Sequence, residues 1–352
     1  MENNYAVIMA GGVGSRFWPL STEDKPKQFL DVLGVGKTLI QMTYERLLKV
    51  APANQIYILT NEKYVELVKK QLPAIHADQI LTEPMRKNTA PCIAYAAAKI
   101  HQRNKDAAMI VAPSDHVILK EERFATLVQK GLSEASENGS IVTLGIKPTR
   151  PDTGYGYIQF SAEEDIIAGQ VKKVKQFMEK PNKSLAEIFL KSGNYFWNSG
   201  IFIWKTKTIL DAIAKFKPLL FEQFCSNPAI FYTPAEHNFI NEAFKQCEDV
   251  SIDYAVLENA KNVAVVLSDF DWSDLGTLNS LYEYKEPNVD ANVVFQNDQL
   301  KTIDNKNCLI HIEKGYEAII QGLDNHIVVL SNGKLLILNK DNEQNLKKYL
   351  QA

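Results

Sequence analysis

The feature that most constrains this chain is an alternation of short apolar runs with segments of helical periodicity. Residues 6–10, 56–60, 109–112 and 141–144 are apolar runs too short for helices and read as buried strands. Between them, residues 38–50, 62–71, 89–102 and 122–137 carry apolar positions at helical spacing, with Thr38 and Thr89 placed to cap their helices. A strand, a helix and a further strand favour parallel neighbours, because parallel pairs need a crossover of helix length. The pattern predicts an α/β fold, with a Rossmann-like mixed, mostly parallel sheet and helices on both faces.

The texture changes twice further along. After Pro148, residues 157–160, 171–178 and 200–204 read as strands separated by turns and one short helix, an insertion bearing a second pocket wall. From about residue 286, short strands at 308–312, 318–321, 327–330 and 335–338 follow one another with Gly or Asn at the bends. This predicts a small C-terminal all-β tail, 286–352, behind a larger domain, 1–285. The chain is long enough for that division, with 352 residues of which 45% are hydrophobic and 23% charged. Such a composition excludes disordered, collagen-like and coiled-coil classes.

Charge narrows the function classes. Lys and Arg number 39 against 42 Asp and Glu, a net charge of −3, which speaks against a surface devoted to nucleic acid but leaves room for a local basic pocket. Met1-Glu2-Asn3-Asn4 lacks a signal-peptide pattern. No stretch reaches the roughly 18 apolar residues of a membrane helix. A soluble, cytoplasmic chain that avoids membranes is expected. Cys92, Cys225, Cys247 and Cys308 are too widely spread for a zinc site or a small disulfide framework, so reduced thiols are expected.

The first predicted strand runs into Gly11-Gly12-Val13-Gly14-Ser15-Arg16, with Lys25-Pro26-Lys27-Gln28 close behind. Glycines let a phosphate approach backbone amides, and Arg16, Lys25 and Lys27 supply the cations that a polyphosphate needs before a second anion can approach it. A dinucleotide reading weakens, because the spacing is not G-x-G-x-x-G and the second strand ends at Thr60-Asn61 rather than at an acid. Gly34-Val35-Gly36-Lys37-Thr38 resembles the end of a P-loop, but the first required glycine falls on Asp31, which removes most support for a kinase or ATPase.

The glycine loop, continuing through Phe17-Trp18-Pro19-Leu20 and Lys25-Pro26-Lys27-Gln28-Phe29, resembles the signature of sugar-1-phosphate nucleotidylyltransferases, specifically the mannose-1-phosphate guanylyltransferases. Further matching motifs follow in order: Glu83-Pro84 with Lys87-Asn88-Thr89-Ala90-Pro91, Pro113-Ser114-Asp115-His116, Gly154-Tyr155-Gly156-Tyr157-Ile158, Glu179-Lys180-Pro181, Asn198-Ser199-Gly200 and Trp272-Ser273-Asp274-Leu275-Gly276. The resemblance covers nearly the whole chain. It implies transfer of GMP from GTP to mannose 1-phosphate, by in-line attack of the sugar phosphate on the α-phosphorus. Two readings of other kinds stay open: the same transfer with another sugar phosphate or base, or a silent nucleotide-sugar-binding regulatory subunit.

The resemblance also implies roles. Gly11, Gly12, Gly14 and Lys25 would hold the nucleotide, and Arg16 and Lys27 would act on the transferring phosphorus. Glu83 would read the donor pair of guanine, with Asn88 as a second polar contact and Thr89 capping the helix. Asp115 and Asp274 would hold Mg²⁺, with Asp271 competing for the second place. Gly156, Glu179, Lys180 and Asn198 would serve the sugar phosphate. Position 87 departs from the pattern, being Lys where relatives often carry Arg, a change of hydrogen-bonding geometry at constant charge. His116 reads as a strand-end histidine, and Trp197, Phe202 and Trp204 as core. The tail would be a left-handed β-helix-like dimerisation element making a homodimer. The chain also ends before the isomerase module of longer relatives, so one activity is expected.

Overall fold

The predicted runs become strands of a nine-stranded sheet in a computed structural model that describes residues 2–160, 166–284, 286–295 and 297–350. The first strands are β1 (Asn4–Met9), β2 (Ile56–Asn61), β3 (Ile80–Glu83), β4 (Ala108–Pro113) and the two-residue β5 (Val117–Ile118). They are followed by β6 (Ile141–Ile146), β7 (Tyr157–Phe160), β8 (Val171–Met178), β9 (Tyr195–Lys205), β10 (Val263–Ser268) and the two-residue β11 (Trp272–Ser273). The sheet order is β3-β2-β1-β4-β9-β6-β10-β8-β7.

The chain divides into two compact units, and the sheet lies in the first: Met1–Gly11, Thr43–Ser114 and Ile118–Trp272. Its helices include α2 (Val65–Gln71), α3 (Thr89–Arg103), α4 (Glu121–Asn138), α5 (Lys183–Ser192), α6 (Thr206–Phe216), α7 (Pro218–Cys225) and α8 (Glu236–Gln246), while α1 (Leu39–Leu47) starts before the unit's second segment. Side chains alternate across a strand. Tyr5, Val7, Tyr57, Leu59, Met109 and Val111 therefore share one core with Ile93, Ile209 and Phe224 of α3, α6 and α7. The opposite face receives α4, where a Cβ on Gly131 would lie 2.6 Å from Ile203 and 3.5 Å from Val142. Helices cover both faces, as expected. Phe202 and Trp204 stack within the first core and Trp197 sits in a smaller cluster with Tyr157 and Phe189, so all three are packing residues.

The sheet is mixed, and the expectation of a mostly parallel one needs correction. β3, β2, β1 and β4 run parallel, as do β6 and β10. β9 is antiparallel to both β4 and β6, and β7 and β8 add antiparallel pairs. An apolar run reports burial but not direction. Direction follows from the connection, which the apolar run itself does not contain.

One cap also differs in detail. Thr89 is the first residue of α3 rather than its cap. Asn88 holds the cap, its Oδ1 accepting the Thr89 N–H at 3.0 Å, while Thr89 Oγ1 accepts the Ile252 N–H at 2.8 Å. Thr38 precedes α1 as expected, and Gln41 Oε1 accepts its backbone N–H at 2.9 Å, half of a capping box.

The second unit comprises Gly12–Met42, Asp115–Val117 and Ser273–Ala352. Its C-terminal strands are β12 (Val293–Val294), β13 (Leu300–Ile303), β14 (Leu309–Ile312), β15 (Ala318–Gln321), β16 (His326–Ser331) and β17 (Lys334–Asn339), followed by α9 (Leu346–Tyr349). β12, β14 and β16 pair in parallel, and so do β13 and β15, so the chain winds alternately between two sheets. Buried Asn292 and Asn305 donate at 2.7 Å to the carbonyls of Asn305 and Ile320, tying successive bends. β17 returns antiparallel on β16 through Asn332 and Gly333, both at positive φ, the Asn-Gly turn that right-twisted hairpins prefer.

Reading the sequence places one boundary between residues 285 and 286, whereas compactness groups residues 12–42 and 115–117 with the C-terminal strands. The physical cause is a shared apolar core. Phe17, Val32, Leu39, Val117, Leu275 and Leu278 pack with Phe295, Leu309, Ile327, Val329 and Leu346. Among the described residues, no helix is long and apolar enough to cross a membrane.

Candidate active site

In the second unit the glycine loop turns through Gly14 at φ 67, a conformation that disfavours any side chain. A Cβ there would also stand 2.7 Å from the Lys27 Cβ. Gly14 thereby lets the loop lie against Lys27. The short helical turn Ser15–Phe17 follows, burying Phe17 and leaving Arg16 exposed. Gln28 Nε2 donates to the Gly12 carbonyl at 2.9 Å, closing the loop from its far side.

Lys27 is buried, and its ammonium has a full set of partners. Nζ lies 2.8 Å from Asp115 Oδ2 and donates to the carbonyls of Asp274 at 2.8 Å and Leu275 at 3.0 Å. Three acceptors match the three donors of an ammonium. For Lys27 to reach a phosphate it must exchange one of these partners, so in this state it positions Asp115 and the Asp274 backbone. Burial pushes the Asp115 carboxyl up, but the charges of Lys27 and His116 and the Lys27 hydrogen bond outweigh it and hold the group below the usual carboxylate range. Asp115 thus stays ionised, with about one third of its side chain exposed.

Asp274 Oδ1 accepts the Gly276 N–H at 3.0 Å, and Leu275 between them adopts φ 44. Gly14, Arg16, Lys27, Asp115, Asp274 and Gly276 all line one cavity of about 290 Å³. Asp271 is placed elsewhere: half-exposed, it pairs with Lys120 at 2.9 Å. Lys25 is exposed in a turn closed by the Thr22 N–H to its carbonyl, outside the cavity lining. Two ionisable carboxyl groups with hard oxygen donors suit Mg²⁺. Among the described residues no group of three or more His, Cys, Asp and Glu is gathered to hold a metal, so a cation here would draw its other ligands from phosphate and water.

The first unit carries the remaining candidates in two places. Glu83 ends β3 and is buried, and Cys92 Sγ of α3 donates to its Oε2 at 2.9 Å. A Cβ on Gly11 would overlap the other oxygen, so that oxygen faces the glycine. Burial raises the Glu83 carboxyl, against the thiol hydrogen bond and the Arg86 charge. Asn88, as cap of α3, has its oxygen committed to the backbone.

The second place gathers Gly156, Glu179, Lys180 and Asn198. A Cβ on Gly156 would stand 2.5 Å from Glu179 Oε2. Lys180 pairs with Glu179 Oε1 at 2.9 Å, and Glu179 Oε2 is buried with no partner among the described residues. Asn198 accepts from Thr143 Oγ1 at 2.9 Å and donates to Asp253 Oδ1 at 3.0 Å. Asp253 is a member that sequence reasoning missed. Burial and the nearby Glu179 charge push its carboxyl up to about 7, against Lys180 and Asn198. Cys92 and Thr143 were missed as well. No apolar periodicity or glycine punctuation marks these residues, and only their three-dimensional partners single them out. All four cysteines are free thiols.

Comparisons with known proteins add context to this geometry. A family model described as nucleotidyl transferase matches residues 5–289. The chain is 35% identical over 350 residues to a mannose-1-phosphate guanylyltransferase of Klebsiella pneumoniae, covering 98% of this chain and 73% of that protein. It is 36% identical over 349 residues to the alginate biosynthesis protein AlgA of Pseudomonas fluorescens, covering 98% and 71% respectively. A solved structure described as mannose-1-phosphate geranyltransferase from Thermus thermophilus superposes with a TM-score of 0.86 at 29% identity, covering 99% of this chain and 98% of that one.

Proposed function

Because the chain belongs to the nucleotidyl transferase family, we propose that it transfers GMP from GTP to α-D-mannose 1-phosphate, releasing pyrophosphate and GDP-mannose. The observation that carries this reading is the cavity in which Arg16, Lys27, Asp115 and Asp274 meet beside a left-handed glycine. A sugar phosphate is already ionised, so the reaction needs no strong general base. What it needs is positioning and neutralisation of two anions.

Arg16 is the exposed cation of the cavity and binds the triphosphate. Lys27 holds Asp115 ionised and fixes the Asp274 backbone, exchanging a carbonyl partner for a phosphate oxygen as substrate enters. Asp115 and Asp274 would hold Mg²⁺, which when bound neutralises phosphate charge and polarises the phosphorus. Gly12 and Gly14 keep the loop backbone open to the triphosphate, and Lys25 adds positive charge nearby. Glu83, with one oxygen fixed by Cys92, accepts from the two donors on the guanine edge. Gly11 leaves that edge room, and Asn88 contributes only through the turn it caps. A mismatched base would leave the buried acid unpaired, which gives discrimination. Glu179, Asn198 and Asp253 accept from and donate to sugar hydroxyls, Gly156 lets the ring approach, and Lys180 balances the acids and holds the sugar phosphate.

The C-terminal strands form a left-handed β-helix-like element that makes the contact of a homodimer, and the protein works in the cytoplasm. Light scattering on the eluted protein should give twice the chain mass. Incubation with GTP, mannose 1-phosphate and Mg²⁺ should release pyrophosphate only when all three are present. Release with UTP or dTTP in preference to GTP would move the reading to another nucleotide, and absence of release with every hexose 1-phosphate would end it.

A further inference from the structure

The loop that follows Asp274 is held by a residue near the end of the chain. Glu343 is buried, and its carboxylate accepts the Asn279 N–H at 2.9 Å together with the Leu278 N–H and the Thr277 hydroxyl. These donors come directly after Asp274-Leu275-Gly276, at the start of the short helical turn Leu278–Tyr284. A buried carboxylate is unfavourable unless its oxygens are satisfied. Burial holds the Glu343 carboxyl above its usual range, against these donors and the positive charge of Arg16. Covering the loop alone would be served as well by a leucine.

The same C-terminal segment also touches the glycine loop. Asn332 Nδ2 donates to the Pro19 carbonyl at 3.3 Å, and Phe17, Leu275 and Leu278 share one apolar core with Phe295, Val329 and Leu346. We propose that Glu343 is a positioning residue for nucleotidyl transfer, setting the Asp274 loop from the C-terminal strands through the backbone it caps. The proposal rests on the reading of Asp274 and Arg16 given above. It makes the C-terminal segment part of the reaction machinery of its unit, in addition to any role in assembly.

Two variants test it. Glu343→Leu removes the acceptors, whereas Glu343→Gln keeps an amide oxygen for the backbone N–H groups and an amide donor for the Thr277 hydroxyl. For Glu343→Leu we expect kcat to fall at least tenfold while KM for GTP and mannose 1-phosphate stays within twofold. Glu343→Gln should recover kcat to within about threefold of the parent. Amide hydrogen exchange should accelerate at residues 14–18 and 277–280 in Glu343→Leu, with 56–61 and 141–146 unchanged as controls. An unchanged kcat in Glu343→Leu, or unchanged exchange at 277–280, overturns the positioning role. Should the parent protein release no pyrophosphate at all, the functional reading fails, and the exchange comparison still decides whether Glu343 holds the loop.

Discussion

Lys27→Met removes a charge that lines the cavity, an ammonium 5.1 Å from the centre of the Phe17 ring, while keeping an unbranched side chain. The parent ammonium satisfies the Leu275 carbonyl in a buried position and the Asp274 carbonyl in a partly buried one. A fully buried orphan costs about 1–3 kcal/mol, and the second, reachable by water, less. Asp115 loses its counter-ion, but a third of its side chain is exposed, so water replaces much of that interaction. The sum is about 2–4 kcal/mol of stability in the second unit. Acidification supplies a second reading. Asp115 is depressed in the folded parent, so its contribution is present above its unfolded value near 3.8 and is lost as pH falls through the lower folded value. In Lys27→Met burial is opposed only by the His116 charge and a backbone hydrogen bond, so the folded value moves up toward the unfolded one and the acid limb shifts and shrinks with it. Turnover should fall by about 10²–10³-fold, the scale for removing one preorganised charge-stabilising group. Thermal unfolding from pH 3 to 8 and pyrophosphate release on the same samples measure both. A variant with parental kcat, or with an unshifted acid limb, refutes the role given to Lys27.

Three further expectations follow from the first unit. Glu83→Gln should erode the preference for GTP over ATP by more than tenfold in kcat/KM, because an amide cannot accept from both guanine donors with the same oxygens; a preserved ratio would show that another group reads the base. Gly156→Ala sets a methyl against Glu179 Oε2, and should raise KM for mannose 1-phosphate at least fivefold with little change in KM for GTP, as steady-state kinetics will show. Asp253 has a raised folded value, about 7 against an ordinary 3.8. Its contribution to stability is therefore full below 3.8 and is lost as pH rises through 7. Asp253→Asn should flatten that part of the urea-unfolding profile between pH 4 and 8, and an unchanged slope would contradict the shift.

Much of the fold was legible because apolar runs report burial. The strands predicted at 56–60, 109–112 and 318–321 coincide closely with β2, β4 and β15. Strand direction was not legible, since β9 reads as an apolar segment whichever way it runs. Nor was the grouping of residues 12–42 with the C-terminal strands, which depends on Phe17 and Leu275 meeting Phe295 and Leu346 across the whole sequence. Glycine and charge types marked Gly14, Arg16 and Lys27, but not that the ammonium of Lys27 would be fully engaged. Asp253 and Glu343 carry no local mark, because their importance lies in desolvation and in partners that are remote in the chain.

In the proposed reaction the nucleotidyl group, with its α-phosphorus, moves to the sugar phosphate. GTP labelled on the α-phosphorus, incubated with mannose 1-phosphate and Mg²⁺, should place its label in GDP-mannose, while γ-labelled GTP should place its label in pyrophosphate. Recovery of the α-label as free GMP or GDP, or of the γ-label on the sugar, would rule out this nucleotidyl transfer.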